Sequence, residues 1–223
     1  MQFKSPITLS LFAACGFALL VTTACTPKKK PTRTTQPNPE ANSMTDADVR
    51  MSELRKRAQE LTNVTQQLPA EPDATNRALV ADAFGKASSA LELLGGPTPG
   101  GAFRQQLRII ENTRTFLKSG SNDVSIAPST DSGLRSLESA LTSVRERLFQ
   151  NDDKVRAEIE TLRAKLAQLD NSRGAMHSIA VAEAFKSAAN VVDTMSTELD
   201  SRAQANAAAA TEALAQPAKA QQK

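Results

Sequence analysis

The stretch Leu134–Leu169, LRSLESALTSVRERLFQNDDKVRAEIETLRAKLAQL, puts an apolar residue at every seventh position: Leu134, Leu141, Leu148, Val155, Leu162 and Leu169. A seven-residue apolar repeat is the seam of packed helices. A companion stripe, Leu137 and Val144, resumes as Ile159 and Leu166 after a shift of one position around QNDDK. The chain has no proline between Pro128 and Pro217. The unbroken first stripe therefore favours one continuous helix, about 54 Å long at 1.5 Å per residue. A break into two helices at Asn151–Asp153 is the alternative that the shifted stripe allows.

The same period governs the segments on either side. DADVRMSELRKRAQELTNVTQQL spaces Leu54, Leu61 and Leu68 seven apart, with Asp46 and Asp48 favouring its N-terminus and Pro69 stopping it. A second helix is expected over Thr75–Leu94 and ends at GGPTPGG, Gly95–Gly101. A third carries Phe103, Leu107, Ile110, Phe116 and Leu117. SGSNDVSIAPSTDSG then reads as a loop ending at Gly133, and NSRG (Asn171–Gly174) turns the chain into a last helix that reaches about Arg202. No segment alternates apolar and polar residues for long enough to build a sheet, so the fold class is all-α, an antiparallel helical bundle.

One word occurs twice. VADAF (Val80–Phe84) and VAEAF (Val181–Phe185) lie 101 residues apart, and the ungapped alignment pairs Ala87 with Ala188, Leu91 with Val192 and Leu94 with Met195. Upstream, LRKRAQEL from Leu54 resembles LRAKLAQL from Leu162. Each copy is a charged amphipathic helix followed by an Ala-rich helix that is apolar over a wide arc, which suits the middle of a bundle. The expected organisation is a bundle over 45–203 with halves at about 45–118 and 134–203, and an Ala/Gln-rich tail over 204–223 whose alanines allow its first part to extend the last helix. Phe84 and Phe185 are core residues on this reading; the alternative makes them the lining of an apolar pocket for a small molecule.

The N-terminus follows different rules. MQFKSPITLSLFAACGFALLVTTAC carries one charge, Lys4, ahead of an apolar run that ends at Cys25. A basic start, an apolar middle and small residues at the end make a secretory signal over 1–24. VTTAC resembles the lipobox of bacterial lipoprotein precursors: Ala24 fills the small position before the cysteine, while the usual leucine three residues before it is missing. The resemblance implies cleavage before Cys25 and acylation of that cysteine, with palmitate among the acyl groups. An uncleaved membrane anchor and simple cleavage after Ala24 are the competing readings, since the apolar run approaches the ~20 residues of a bilayer span. Cys15 is the weaker choice, because it would leave GFALLVTTA at the mature terminus. TPKKKPTRTTQPNPEANS has no apolar periodicity and reads as a disordered tether over 25–44, with Lys28, Lys29, Lys30 and Arg33 facing anionic headgroups. No Asp follows Cys25, which in enterobacterial lipoproteins favours the outer membrane. A resemblance to lipoproteins of the Braun type, whose terminal lysine joins peptidoglycan, covers only the lipid end and Lys223.

Composition narrows the chemistry. The 223 residues carry a formal charge of +3, with two cysteines, one histidine and neither Trp nor Tyr. The excess charge sits in the tether, so nucleic acid is not an expected partner. With Cys15 in the signal and Cys25 acylated, the mature chain has no disulfide, no cysteine nucleophile and no thiolate ligand. His177 has only Ser178 and Glu183 nearby in sequence, a spacing that fits no triad or metal motif, and reads as a solvated surface residue. Asp152, Asp153, Glu158 and Glu160 coincide with a possible helix start, where acids favour the helix dipole. No catalytic residue, metal or cofactor is expected. The function expected is a lipid-anchored cell-envelope module, non-enzymatic, that binds a protein partner in the periplasm or at the cell surface. Homo-oligomerisation through an open part of the seam is the alternative to an internal seam.

Overall fold

In a computed structural model of the chain, the residues described are 39–68, 74–95, 103–119 and 126–215. They belong to one compact unit, Asn38–Lys223. Among the described residues every regular element is an α-helix: α1 Pro39–Gln66, α2 Ala74–Gly95, α3 Arg104–Lys118, α4 Ile126–Leu148, α5 Asp153–Asn171 and α6 Ala175–Ala215.

Pairings across the helices give their directions. Arg135 of α4 meets Asp170 of α5, and further along Glu138 meets Arg163, so these two run antiparallel. Lys165 with Glu183 and Lys154 with Glu198 do the same for α5 and α6. Thr113 bonds the Ser129 carbonyl while Gln106 reaches Ser139, which makes α3 antiparallel to α4. The alternate helices are parallel: Asp131 of α4 meets His177 near the start of α6, and Arg202 of α6 meets Leu148 at the end of α4.

The contacts have a simple order. α2, α4 and α6 touch one another, α1 packs between α6 and α2, α3 between α2 and α4, and α5 between α4 and α6. The chain is thus three helical hairpins, each with one inner and one outer helix, and α6 closes the ring on α1. Sequence separates the two roles. The outer helices bury one stripe, as in Val155, Ile159, Leu162, Leu166 and Leu169 of α5. The middle of α6 is buried almost all round, from Ala180 through Ser196, because its alanines let neighbours approach on every side. The two copies seen in the sequence are the first and third hairpins; α2 and α6 begin 101 residues apart, as their shared word does.

Three expectations change. The stretch Leu134–Leu169 is two helices, α4 and α5, and not one. Asp152 is the N-cap of α5: its backbone is extended and its carboxylate accepts the Val155 N–H at 3.1 Å. Phe149, in the turn, is buried. The seam is nonetheless internal, with Leu134, Leu141, Val155, Leu162 and Leu169 buried and Leu148 half-buried beside the turn. Second, α4 starts at Ile126, inside the expected loop. Pro128 lies in its first turn, where the missing N–H would have had no helical acceptor. Gly133 is a notch within α4: a Cβ there would come within 2.6 Å of Phe84 Cζ. Third, α1 begins at Pro39, inside the segment expected to be tether, with proline at the first helical position. The Ala-rich first part of the tail does extend the last helix: α6 continues past Arg202 to Ala215, and residues 201–213 are exposed on every side.

Candidate functional site

The expected anchor, Cys25, lies outside the described residues, as do Lys223 and the basic cluster Lys28–Arg33. What the fold places is the point where the chain reaches the bundle. α1 enters at the end where α6 leaves, because α1 and α6 are antiparallel neighbours, with Arg55 of one paired to Asp200 of the other. The α4–α5 turn is at this end too, fixed by Arg202. Its guanidinium lies 4.8 Å from the Phe149 ring centre, donates to the Leu148 carbonyl at 2.6 Å and pairs with Asp152 at 3.1 Å. Asp152 is therefore cap and counter-ion at once, which accounts for one member of the acidic group. Asp153 pairs with Arg156 and Glu160 with Arg163, each within one helical turn. Among the described residues no group of three His, Cys, Asp or Glu could hold a metal ion.

Phe84 and Phe185 are brought together. Both are fully buried, their centroids 4.8 Å apart and their planes at 74°. Each ring fills the space beside the other, and Gly133 brings α4 onto the same contact. This is the geometry of a packed core.

The far end of the bundle holds what the sequence did not reveal. His177 is not a solvated residue: its side chain is 14% exposed. Nδ1 lies 3.2 Å from Ser172 Oγ, in the turn before α6. Nε2 lies 3.2 Å from Asp131 Oδ1 on α4, angled away from hydrogen-bond geometry. Burial pushes the Asp131 carboxyl above its ordinary value, and the neighbouring His177 and Arg135 charges pull it back. Hydroxyl, imidazole and carboxylate in series are the parts of a nucleophilic triad. Here, however, the Ser172 hydroxyl donates to the Leu169 carbonyl at 3.0 Å, as does the Ser172 backbone N–H at 3.2 Å. The hydroxyl caps α5, and its bond to the Leu169 carbonyl competes with one to the imidazole. The series ties α4, α5 and α6 together around Gly174, whose φ of +56° makes the reversal that its lack of a side chain permits. No sequence spacing announces this cluster, since Asp131 lies on a different hairpin.

What remains open to other molecules is helix surface. The outer faces of α1, α3 and α5 are lined by exposed polar and charged residues, and at the far end Met176 is 64% exposed beside the α5–α6 groove. No described helix is long and apolar enough to cross a membrane. Comparison with known protein families, with curated proteins and with solved structures finds no match to this chain.

Proposed function

We propose that this chain is a lipid-anchored cell-envelope protein whose bundle is a non-enzymatic interaction or scaffold module for a protein partner in the periplasm or at the cell surface. One observation carries the module reading. The interior is consumed by its own packing, the Phe84–Phe185 contact and the buried seam included, while three outer helices keep their polar faces open. The anchor reading rests on VTTAC and the basic, proline-containing segment after it.

Cys25→Ala tests the anchor. The wild-type protein partitions with membranes after signal cleavage and carries acyl chains by mass spectrometry; the variant is released or stays unprocessed. Normal processing with unchanged membrane fractionation of Cys25→Ala would rule the anchor out. In-cell crosslinking through residues placed on the outer faces, followed by mass spectrometry, tests the module. A recurrent protein partner on one face is the expected result, and crosslinks scattered evenly over all faces would argue against it.

A further inference from the structure

We propose that the outer face of α3 docks onto an anionic phospholipid surface, laying the bundle on its side against a membrane. The charge of α3 sets it apart. Its fifteen residues hold Arg104, Arg108, Arg114 and Lys118 against one acid, Glu111. The other outer helices are balanced or acidic: α1 has four basic and five acidic residues, and α5 has four of each. The inner helices α2 and α4 balance, and α6 sets Lys186 and Arg202 against five acids. Of the six helices, α3 alone is net positive.

Three of its four cations are also uncommitted. Arg55, Arg57, Arg135, Arg156, Arg163 and Lys154 on the other helices are all held by carboxylates. Within α3 only Arg114 is paired, with Glu111 at 2.9 Å. Arg104, Arg108 and Lys118 are exposed and make no ion pair with a described residue. Arg104 and Arg108 are one turn apart, and Glu111, Thr115 and Lys118 continue the same face at helical spacing along about 22 Å of helix.

The face has the chemistry of a headgroup contact. A protein interface needs a central apolar or aromatic anchor among its polar residues. The stripe of Arg104, Arg108, Glu111, Thr115 and Lys118 holds none: Ile110 and Leu117 are buried, Phe103 is 3% exposed, and the half-buried Ile109 and Phe116 lie to one side of it. A layer of lipid phosphates needs only basic side chains, and the guanidinium fork suits phosphate oxygens. The topology agrees. α3 runs parallel to α1, so Arg104 sits at the end of the bundle where α1 begins. The lipid-anchor reading supplies a nearby membrane, and nothing else in the inference depends on it.

The test uses the compact unit Asn38–Lys223, which contains every core residue and neither Cys25 nor the basic linker. It is sedimented with vesicles of about three parts phosphatidylethanolamine to one part phosphatidylglycerol, and with phosphatidylcholine vesicles. Binding to the first and not the second is expected, and it should vanish as salt screens the contact. Arg104→Glu with Arg108→Glu should weaken binding about tenfold or more, while Arg50→Glu with Lys56→Glu on α1 should leave it within about twofold. Circular dichroism checks that both variants stay helical. Equal binding to both vesicle types, no binding, or equal losses in the two variants would overturn the proposal. So would retention on polyglutamate beads with no vesicle binding, which would assign the face to an acidic protein. Failure here leaves the Cys25 result untouched, because the unit tested carries no lipid.

Discussion

The Phe84 and Phe185 rings meet edge to face at the shared contact of α2 and α6, with Gly133 of α4 lying against the Phe84 edge. The three inner helices thus converge on two rings and one missing side chain. Edge-to-face pairs prefer this geometry because the positive ring edge meets a negative ring face.

Phe84→Ala should cost about 3–5 kcal/mol, as should Phe185→Ala, and the double variant should cost less than their sum because both remove the same contact. Gly133→Ala should cost about 1–3 kcal/mol by overpacking against Phe84. Urea unfolding followed by circular dichroism measures all four. Strict additivity of the two alanines with a neutral Gly133→Ala would show that the contact does not organise the core.

The seam distinguishes Leu162 from Leu148. Leu162 is fully buried, so Leu162→Glu puts a carboxylate into the core without a partner and should unfold the bundle at every concentration. Leu148 is half-buried at the turn, where a carboxylate could reach water, and Leu148→Glu should lower stability while leaving a folded chain. Helicity as a function of concentration, with size-exclusion chromatography, gives the answer. A helical Leu162→Glu that has lost self-association would make the seam an interface between copies.

Asp152 and Arg202 should be energetically coupled. Asp152→Ala removes both the α5 cap and the ion pair, and caps alone are worth about 0.5–2 kcal/mol. The Asp152 side chain is only 8% exposed, which sets this pair apart from the solvent-screened ones. A double-mutant cycle with Arg202→Ala should give a coupling of at least about 0.5 kcal/mol. A coupling of zero would mean that the turn is held by Phe149 alone.

Acid should act on the bundle through opposed groups. The Lys86 hydrogen bond holds Glu60 below its ordinary 4.5, and the Lys186 hydrogen bond does the same for Glu183. A depressed carboxyl contributes stability that is present above 4.5 and lost as pH falls through its folded value. Asp131 has the reverse sign: being raised by burial, it contributes below 3.8 and loses that contribution as pH rises through its folded value. The stability advantage of wild type over Glu60→Gln should therefore grow as pH rises toward 4.5, while that over Asp131→Asn should shrink as pH rises above 3.8. Denaturant midpoints at a series of pH values test both slopes, and equal slopes of one sign would refute the assignment.

Much of this fold could be read from side-chain spacing. The stripes of α1, α3 and α5, the punctuation by Gly95 and Gly174, and the pairing of Phe84 with Phe185 as core residues all follow from periodicity and the repeated word. The break at Asp152 was masked because the turn from Phe149 to Asp152 preserves the seven-residue count from Leu148 to Val155; only the slipped companion stripe betrayed it. Pro128 and Gly133 look like loop residues until the first turn of α4 and the Phe84 ring explain them. The His177 cluster was invisible because its carboxylate comes from α4, 46 positions upstream. The cationic residues of α3 are present in the sequence, but only the structure shows that Arg104 and Arg108 face outward with no ion pair to a described residue.

The closure of α6 on α1 gives the three hairpins a cyclic rather than a linear order. The chain could be opened between α2 and α3 and the start of α1 joined to the end of α6 by a linker, since these two helix ends lie at the same end of the bundle. The permuted polypeptide would keep each inner helix among the same neighbours, with α3 first and α2 last. Any of the three hairpins can in this sense begin the protein, and the one that carries the N-terminus does so by genetic history and not by physical necessity.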